Sequence, residues 1–147
     1  MKARKILLVL CMAFVGIFAA NADNDRMITA EQLPKVSREF IQKYFKDIGV
    51  SYVKLDQDFM EKSYEVLLTN GSKVEFDRNG QWEKIDCRRN PVPAGIVPEP
   101  IENFVKKNHP NQPIVKIERD RRGYEIEFRN GFEIEFDKAY NMVGYDD

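Results

Sequence analysis

The side chains of this 147-residue sequence that could perform chemistry are few and lie far apart. His109 is the only histidine, and Cys87 is the only cysteine beyond an apolar N-terminal segment that contains Cys11. A thiol nucleophile requires a base and an orienting group, and a zinc site requires several nitrogen or sulfur ligands. No serine stands in a nucleophile motif, and no glycine-rich phosphate loop is found. We therefore expect a protein that is not an enzyme and that holds no cofactor and no metal.

Oxygen ligands for calcium are present but poorly spaced. Asp56, Asp58 and Glu61 form one acidic cluster, and Asp77 with Asn79 forms another. The twelve-residue calcium loop needs a central glycine and a final glutamate, and neither cluster matches it. Asp77 and Asn79 are better explained as turn formers.

Most of the remaining carboxylates belong to two ribbons of similar sequence, "YEVLLTNGSKVEFD" at 64–77 and "YEIEFRNGFEIEFD" at 124–137. In the second ribbon, Tyr124, Ile126 and Phe128 alternate with charged residues. Alternation with a period of two predicts antiparallel strands that bury one face. The charged residues then lie on the opposite, open face.

The Asn-Gly turns determine how these strands pair. A two-residue loop at Asn130-Gly131 would place Phe128 opposite Glu133, and so a charge on the buried side. A three-residue loop with Gly131 in the left-handed region keeps both faces consistent. The predicted pairs are Phe128 with Phe132, Ile126 with Ile134, Val66 with Val74, Tyr64 with Phe76, Phe76 with Trp82, Lys54 with Glu65, and Lys116 with Glu125. Trp82 is therefore expected in the core.

The open face supplies the candidate partner-binding residues. They are the carboxylates that project there and two apolar residues among them: Glu65, Leu67, Glu75, Glu83, Ile85, Glu125, Glu127, Glu133 and Glu135. Adjacent carboxylates on paired strands repel each other by roughly a few tenths of a kcal/mol when solvated. Either lysines and arginines relieve that cost on a plain solvated face, or the face docks a basic protein, a peptide or a cation. The sequence leaves both interpretations open.

A proline-initiated helix precedes each ribbon. Pro34 stands before an apolar stripe that includes Phe40, and Pro98 or Pro100 stands at the start of one that includes Phe104. Since helix and ribbon both occur twice, we predict an α+β domain of two tandem α-β-β-β-β repeats. The helices would pack on one face of a mainly antiparallel sheet, with the other face open. The repeats would span 23–90 and 91–147 within one compact domain.

Residues 1–22 have the pattern of an export signal. Lys2, Arg4 and Lys5 precede an apolar run that is short for a membrane span, and Ala20-Asn21-Ala22 matches a signal-peptidase site. An N-terminal membrane anchor is the alternative. We expect cleavage near Ala22, no membrane span afterwards, and a periplasmic or secreted protein in which Cys87 has no internal disulfide partner. Loss of the three basic residues changes the formal net charge from −1 to −4, which argues against nucleic acid as a partner.

Four stretches resemble the PepSY-like family, the beta-lactamase-inhibitor-like exported proteins of Bacteroidetes. They are "LPKVSREFIQKYF", "YEVLLTNGSKVEFDRNGQWEKIDC", "VPAGIVPEPIENFVKKNHP" and "YEIEFRNGFEIEFD", and they cover nearly all of the chain after the export signal. The resemblance implies a helix packed on an antiparallel meander in each PepSY-like repeat. It carries over no functional residue, because the inhibitor label rests on likeness of fold.

The function expected from these observations is that of a non-catalytic exported binding protein. It would inhibit or modulate a peptidase or another hydrolase by occlusion, inserting the turn at 56–62 or at 119–123 into a cleft of an unknown protein or peptide partner. The alternative is a small-molecule or cation binder on the acidic open face. A protein partner requires a contiguous apolar and charged patch, whereas a small molecule requires a concave pocket.

Overall fold

The computed structural model describes residues 24–146, so the expected export signal at 1–22 lies outside the described residues. Nine strands follow one another: β1 (Arg26–Ile28), β2 (Val50–Gln57), β3 (Lys62–Leu68), β4 (Lys73–Phe76), β5 (Trp82–Asp86), β6 (Ile114–Arg119), β7 (Gly123–Phe128), β8 (Glu133–Asp137) and β9 (Met142–Asp146). Two ten-residue helices, α1 (Lys35–Tyr44) and α2 (Glu99–Asn108), and a 3-10 turn at Ala30–Gln32 complete the elements.

The predicted fold class, an α+β domain of two tandem α-β-β-β-β repeats, is wrong. Within residues 24–146, all nine strands form a single antiparallel sheet in the order β1 to β9, and this part of the chain is mostly β with two short helices. The finding that overturns the prediction is the balance of elements in the described residues, nine strands in one sheet against two helices of ten residues each. In the ladder between β5 and β6, Ile85 lies opposite Ile117. This pairing joins the strands on either side of α2 into one continuous sheet. The sequence also gave no sign of β1, because three residues are too few to show alternation.

The two helices cover one face of the sheet through aromatic contacts. The ring of Phe40 on α1 lies edge-on to Phe76 at 5.8 Å between centroids, and Phe104 on α2 lies edge-on to Phe136 at 5.3 Å. Pro34 and Pro98 precede the first helical residues, where the missing amide proton of proline costs no helical hydrogen bond. Trp82 is buried in this core, as predicted.

Most of the predicted strand registers are confirmed. Val66 lies opposite Val74, Tyr64 opposite Phe76, Ile126 opposite Ile134, Phe76 opposite Trp82, and Lys54 opposite Glu65. Gly131 has a φ of 88°, and the amide of Phe128 donates to the carbonyl of Phe132 at 2.9 Å, as the three-residue loop requires. These registers were predictable because each depends only on a short loop and the alternation beside it.

The predicted pairing of Lys116 with Glu125 is wrong, because Lys116 lies opposite Glu127 and Glu118 lies opposite Glu125. The turn between β6 and β7 explains the shift of two residues. Asp120 accepts hydrogen bonds from the amides of Arg122 and Gly123, and its own amide donates to the carbonyl of Gly123. These contacts fix the turn around 121–122, and the register of the two strands follows from it.

Candidate functional site

The face of the sheet away from the helices, called the open face below, carries its charges in two rows that cross the strands. In the first row, each residue lies opposite the next one on the adjacent strand, in the order Met27, Lys54, Glu65, Glu75, Lys84, Glu118, Glu125, Glu135 and Gly144. The second row runs through Leu67, Lys73, Asp86, Lys116, Glu127, Glu133 and Asp146. In both rows the lysines lie on β2 to β6, so β7 to β9 form the acidic part of the face.

Lys116 is the centre of the charge network on this face. Its Nζ lies 2.8 Å from Glu127 and 3.6 Å from both Glu118 and Glu133. Burial of Lys116 lowers its pKa, but the three carboxylates outweigh that effect and the net shift is upward. The pKa of Glu133 is raised, first by burial, and the carboxylate of Glu127 adds to the shift while Lys116 opposes it. The network therefore neutralises part of the acidic charge that the sequence predicts.

A second polar contact on the face involves Glu65. Its carboxylate accepts a hydrogen bond of 2.6 Å from the hydroxyl of Tyr52 and lies 3.3 Å from Nζ of Lys73. Burial raises the pKa of Glu65, but Tyr52 and Lys73 together bring it below the usual value for a glutamate. Glu65 is thus a structural anion held in place by its neighbours.

The structure places seven of the nine candidate residues on the open face: Glu65, Leu67, Glu75, Glu125, Glu127, Glu133 and Glu135. The position predicted for Ile85 is wrong, since its exposure is 0% and it packs in the core. The reason is a bulge in β5, where Trp82 lies opposite Phe76 and Lys84 opposite Glu75. Glu83 is the additional residue, and the bulge returns Ile85 to the buried side.

Three of the glutamates on this face have no ion pair. Among the described residues, no lysine or arginine nitrogen lies within 4.0 Å of a carboxylate oxygen of Glu75, Glu125 or Glu135. Burial, together with the neighbouring charges of Glu133 and Glu118, raises the pKa of Glu125. Glu125 and Glu135 lie directly opposite each other on β7 and β8. This pair forms the uncompensated acidic part of the face.

Four turns lie together at one end of the sheet and are called the turn rim below: residues 58–61, 77–81, 120–122 and 137–141. Each begins with an aspartate whose side chain accepts backbone amides of its own turn. Asp58 and Asp77 belong to the two acidic clusters that resembled calcium ligands in the sequence. These hydrogen bonds show that both aspartates stabilise turns. Since the aspartates point back into their turns, the charges free to project outward include the cationic groups of Arg78, Arg121 and Lys138.

The rim also presents the most exposed apolar side chains of the described chain. Phe59 is 100% exposed and Met60 is 81% exposed, both at the tip of the β2–β3 hairpin. Residues 60–63, 77–79, 81–83 and 119–122 line an open depression of about 1040 Å³ beside this tip. The apolar pair and the depression were not anticipated from the sequence. Two consecutive apolar residues inside a polar turn were the signal that could have indicated them.

Trp82 and Arg119 lie in the lining of this depression. The guanidinium carbon of Arg119 lies 3.9 Å from the centroid of the indole ring, and its Nε donates a 2.6 Å hydrogen bond to the carbonyl of Trp82. The guanidinium therefore covers the ring while keeping its charge near the rim. Glu83 lies beside them, and burial followed by the charge of Asp77 raises its pKa.

The residues considered first for chemistry lie elsewhere. His109 is surrounded by the rings of Phe104, Phe128, Phe132 and Tyr145, at centroid distances between 5.4 and 6.4 Å. Cys87 is buried and its pKa is raised, chiefly by that burial. Within residues 24–146, no group of three His, Cys, Asp or Glu side chains is arranged to hold a metal ion. No helix in that part of the chain is long and apolar enough to span a membrane.

The fold and its surfaces define a class of protein: a nine-stranded antiparallel sheet with one helix-covered face, one charged open face and a rim of turns. The chain belongs to the PepSY-like family, which is described as "Putative beta-lactamase-inhibitor-like, PepSY-like". The model of this family matches residues 62–143. The resemblance found in the sequence is thereby confirmed. Among curated proteins, no match is found.

Three solved structures are similar to this chain over most of its length. A "putative periplasmic protein" of the DUF2874 family from Bacteroides vulgatus is 40% identical, covering 86% of this chain and 100% of its own, with a TM-score of 0.83. A "putative calcium-regulated periplasmic protein" of Bacteroides thetaiotaomicron is 41% identical, covering 84% and 98%, with a TM-score of 0.82. A second Bacteroides vulgatus protein, of unknown function, is 36% identical, covering 84% and 100%, with a TM-score of 0.81. All three are described as periplasmic, and we assign this chain to the same compartment.

Proposed function

We propose that this periplasmic protein is a non-catalytic binding protein that inhibits or modulates a peptidase or another hydrolase by occlusion. The turn rim would be the contact surface, with the tip at Phe59 and Met60 inserted into a cleft of the partner. The observation that carries the proposal is the full exposure of Phe59 beside a depression lined by the two neighbouring turns. An exposed aromatic and a methionine at a hairpin tip stabilise a complex only when a partner removes them from water.

The charges around the tip support the same surface. The aspartates of the turns accept hydrogen bonds from backbone amides, so their carboxylates point into the turns. Arg78 and Arg121, by contrast, are exposed. A partner cleft with an apolar floor and carboxylates at its mouth would complement this arrangement. Both turns that the sequence suggested for insertion, at 56–62 and 119–123, contribute residues to the lining of the one depression.

The proposal is tested by affinity capture from a periplasmic extract, followed by inhibition assays on any hydrolase that is retained. The bait is the chain from residue 23. It is compared with a Phe59→Asp/Met60→Asp variant of the rim and with a Glu65→Lys/Glu75→Lys/Glu125→Lys/Glu135→Lys variant of the open face. Met27→Asp, which changes an exposed residue at the β1 edge, is the matched control.

We expect the wild-type chain, the open-face variant and the control to retain and inhibit the same hydrolase. The rim variant should weaken inhibition at least about tenfold, since buried aromatic anchors contribute most of the energy at such interfaces. Retention that is lost only with the open-face variant would move the binding site to the acidic face. A retained protein whose hydrolytic activity the wild-type chain leaves unchanged would overturn the inhibitory role.

The alternative, a cation binder on the open face, has one observation in its favour. A relative that is 41% identical carries the description "putative calcium-regulated periplasmic protein". On this chain, Glu125 and Glu135 would be the ligands available, because Lys116 already contacts Glu118, Glu127 and Glu133. Calorimetric titration with calcium decides the matter: heat of binding that disappears in Glu125→Gln/Glu135→Gln supports the alternative.

A further inference from the structure

The second surface of interest is the free edge of β9 at the end of the sheet. β9 pairs with β8 on one side, with Tyr145 opposite Ile134 and Gly144 opposite Glu135, and in the described residues no strand pairs with its other side. Met142, Val143 and Tyr145 expose apolar surface along this edge. Edge strands commonly carry lysine or proline that prevents further pairing, and β9 contains neither.

The pairing of β6 with β5 shows how an added strand would pair with β9, because β5 and β9 have the same arrangement. β5 and β9 each contain a bulge, at Glu83 and at Val143, and in β5 the three residues after the bulge pair with β6. Lys116 of β6 lies opposite Asp86, and Ile117 lies opposite Ile85. At the corresponding positions, β9 offers Asp146 and Tyr145.

The charge around the β9 edge specifies what kind of strand would fit. Asp146 and Glu133 lie opposite each other on the open face, and Glu135 lies opposite Gly144. Because Gly144 has no side chain, a long cationic side chain opposite it could reach the carboxylate of Glu135. On the helix side, Tyr145 is 51% exposed and packs against Phe132 at 5.5 Å between centroids. A residue opposite Tyr145 would therefore be apolar.

We propose that the β9 edge binds an extended peptide segment of a partner protein, in which basic residues alternate with apolar ones, by antiparallel strand addition. One basic side chain would lie opposite Asp146, a second would lie opposite Gly144 and reach Glu135, and the apolar side chain between them would cover Tyr145. Backbone hydrogen bonds provide the pairing, and the alternation of charge and apolar surface provides the selectivity. This inference goes beyond the proposed function, because it involves no residue of the Phe59 tip.

The β1 edge at the other end of the sheet does not share these properties. It has three residues, it carries Arg26, and Lys54 beside it pairs with Asp25 at 3.0 Å. Because Asp25 already compensates Lys54, the charge that a basic segment would meet on β1 itself is the positive charge of Arg26. The β1 edge therefore serves as an internal control in the same molecule.

The experiment uses a synthetic peptide as the probe. Its sequence is that of residues 113–119, "PIVKIER", with Glu118→Lys, so that a lysine, an isoleucine and a second lysine would face Asp146, Tyr145 and Gly144. The control peptide carries Lys116→Glu and keeps Glu118. Hydrogen exchange by mass spectrometry on the chain from residue 23 measures protection at the two edges, and fluorescence anisotropy of labelled peptide measures affinity.

We expect the basic peptide to slow exchange at 142–146 and to leave 26–28 unchanged, and the acidic peptide to do neither. Glu135→Lys should weaken binding of the basic peptide roughly three- to tenfold through loss of attraction and added repulsion. Glu75→Lys is the matched variant, because Glu75 is also an unpaired glutamate of the open face but lies on β4, and it should leave the affinity unchanged.

Three results would overturn the proposal. The first is binding of the basic peptide without protection of 142–146, and the second is equal weakening by Glu135→Lys and Glu75→Lys. The third is protection of 142–146 that grows with protein concentration in the absence of peptide, accompanied by dimers in sedimentation. That result would make a second copy of this chain the occupant of the edge.

Discussion

Lys116 is the single side chain on which the stability of the open face depends most directly. Its ammonium group contacts carboxylates from its own strand, from β7 and from β8, and its side chain is only 18% exposed. Ion pairs at this depth contribute more than fully solvated ones, because removal of one partner leaves the others uncompensated.

Lys116→Met keeps the length of the side chain but removes its charge. We expect it to lower the free energy of unfolding by about 1–2 kcal/mol at pH 7 and low salt. Since the pKa of Lys116 is raised on folding, its stabilisation is complete below the pKa of the unfolded lysine and is lost as the pH rises through the folded value. At acidic pH the loss caused by the substitution should shrink, because its carboxylate partners become protonated.

Urea unfolding at pH 7 and pH 3, followed by the fluorescence of Trp82, checks this prediction. Lys35→Met is the control, since the pair of Lys35 with Glu39 is largely exposed on α1. An equal effect of the two substitutions at pH 7 would contradict the role assigned to Lys116.

Substitution of Arg119 should change the fluorescence of Trp82, the only tryptophan in the sequence. Arg119→Ala uncovers the indole ring of Trp82 and removes a cation–π contact of about 1 kcal/mol. The emission of Trp82 should shift to longer wavelength in the folded protein, while Arg121→Ala, an exposed neighbour, should leave it unchanged. Identical spectra for the two variants would show that Arg119 does not shield the ring in solution.

At the scale of the elements, substitutions of Gly123 and Gly131 by alanine distinguish a position constrained by packing from one that is not. A Cβ at Gly123 would lie 2.0 Å from the carbonyl oxygen of Phe136, whereas a Cβ at Gly131 would meet nothing within 4 Å. Both residues have a positive φ, so both substitutions carry backbone strain of about 1 kcal/mol. Only Gly123→Ala should add a displacement of β7 from β8.

We therefore expect thermal unfolding to show a much larger loss of stability for Gly123→Ala, of about 3 kcal/mol or more. Gly131→Ala, the control, should lose about 1 kcal/mol. Equal melting temperatures for the two variants would mean that the close approach of β7 and β8 relaxes at no cost.

The turn aspartates should give the protein an acid-sensitive stability. Backbone amides of the turns lower the pKa of Asp58, Asp120 and Asp137, and that of Asp137 is lowered first by the amide of Asn141. A carboxyl group whose pKa falls on folding stabilises the protein above its unfolded pKa. That stability is lost as the pH decreases through the folded value.

Asp137→Asn preserves a hydrogen-bond acceptor in the turn but removes the charge. Melting temperatures measured between pH 2 and pH 7 should depend less steeply on pH in the variant on the acidic side. Lys138→Gln changes the adjacent exposed charge and is the control. Parallel curves for wild type and Asp137→Asn would refute the contribution of this turn.

At the scale of the whole molecule, the ladder between β5 and β6 makes one sheet of all nine strands. Ile117 lies at its centre, fully buried between Ile85 and Ile126. If this ladder couples the two ends of the sheet, Ile117→Ala should lower the stability of both ends together by about 2–5 kcal/mol. Hydrogen exchange at β3 and β8 should report the same free energy of opening. An intermediate in which only one end has exchanged would contradict the coupling.

Much of the fold could be predicted from the sequence wherever the cause was local. The loop at Asn130-Gly131 and the apolar residues beside it predict the register of β7 and β8 without any knowledge of the rest of the chain. The same holds for Tyr64 with Phe76, and the residues of these ribbons also identified the family. Short loops restrict pairing to one register because a slip by one residue would bury charge.

The tertiary structure alone decided the features that depend on contacts between distant segments. The ladder between β5 and β6 joins the strands before and after α2, and the bulge at Glu83 turns Ile85 from the open face into the core. The sequence by itself determined that one face would be rich in carboxylates. Which of them remain without a lysine partner was decided by the register of β6 and β7, because cross-strand charge pairs form only between residues that the sheet brings opposite each other.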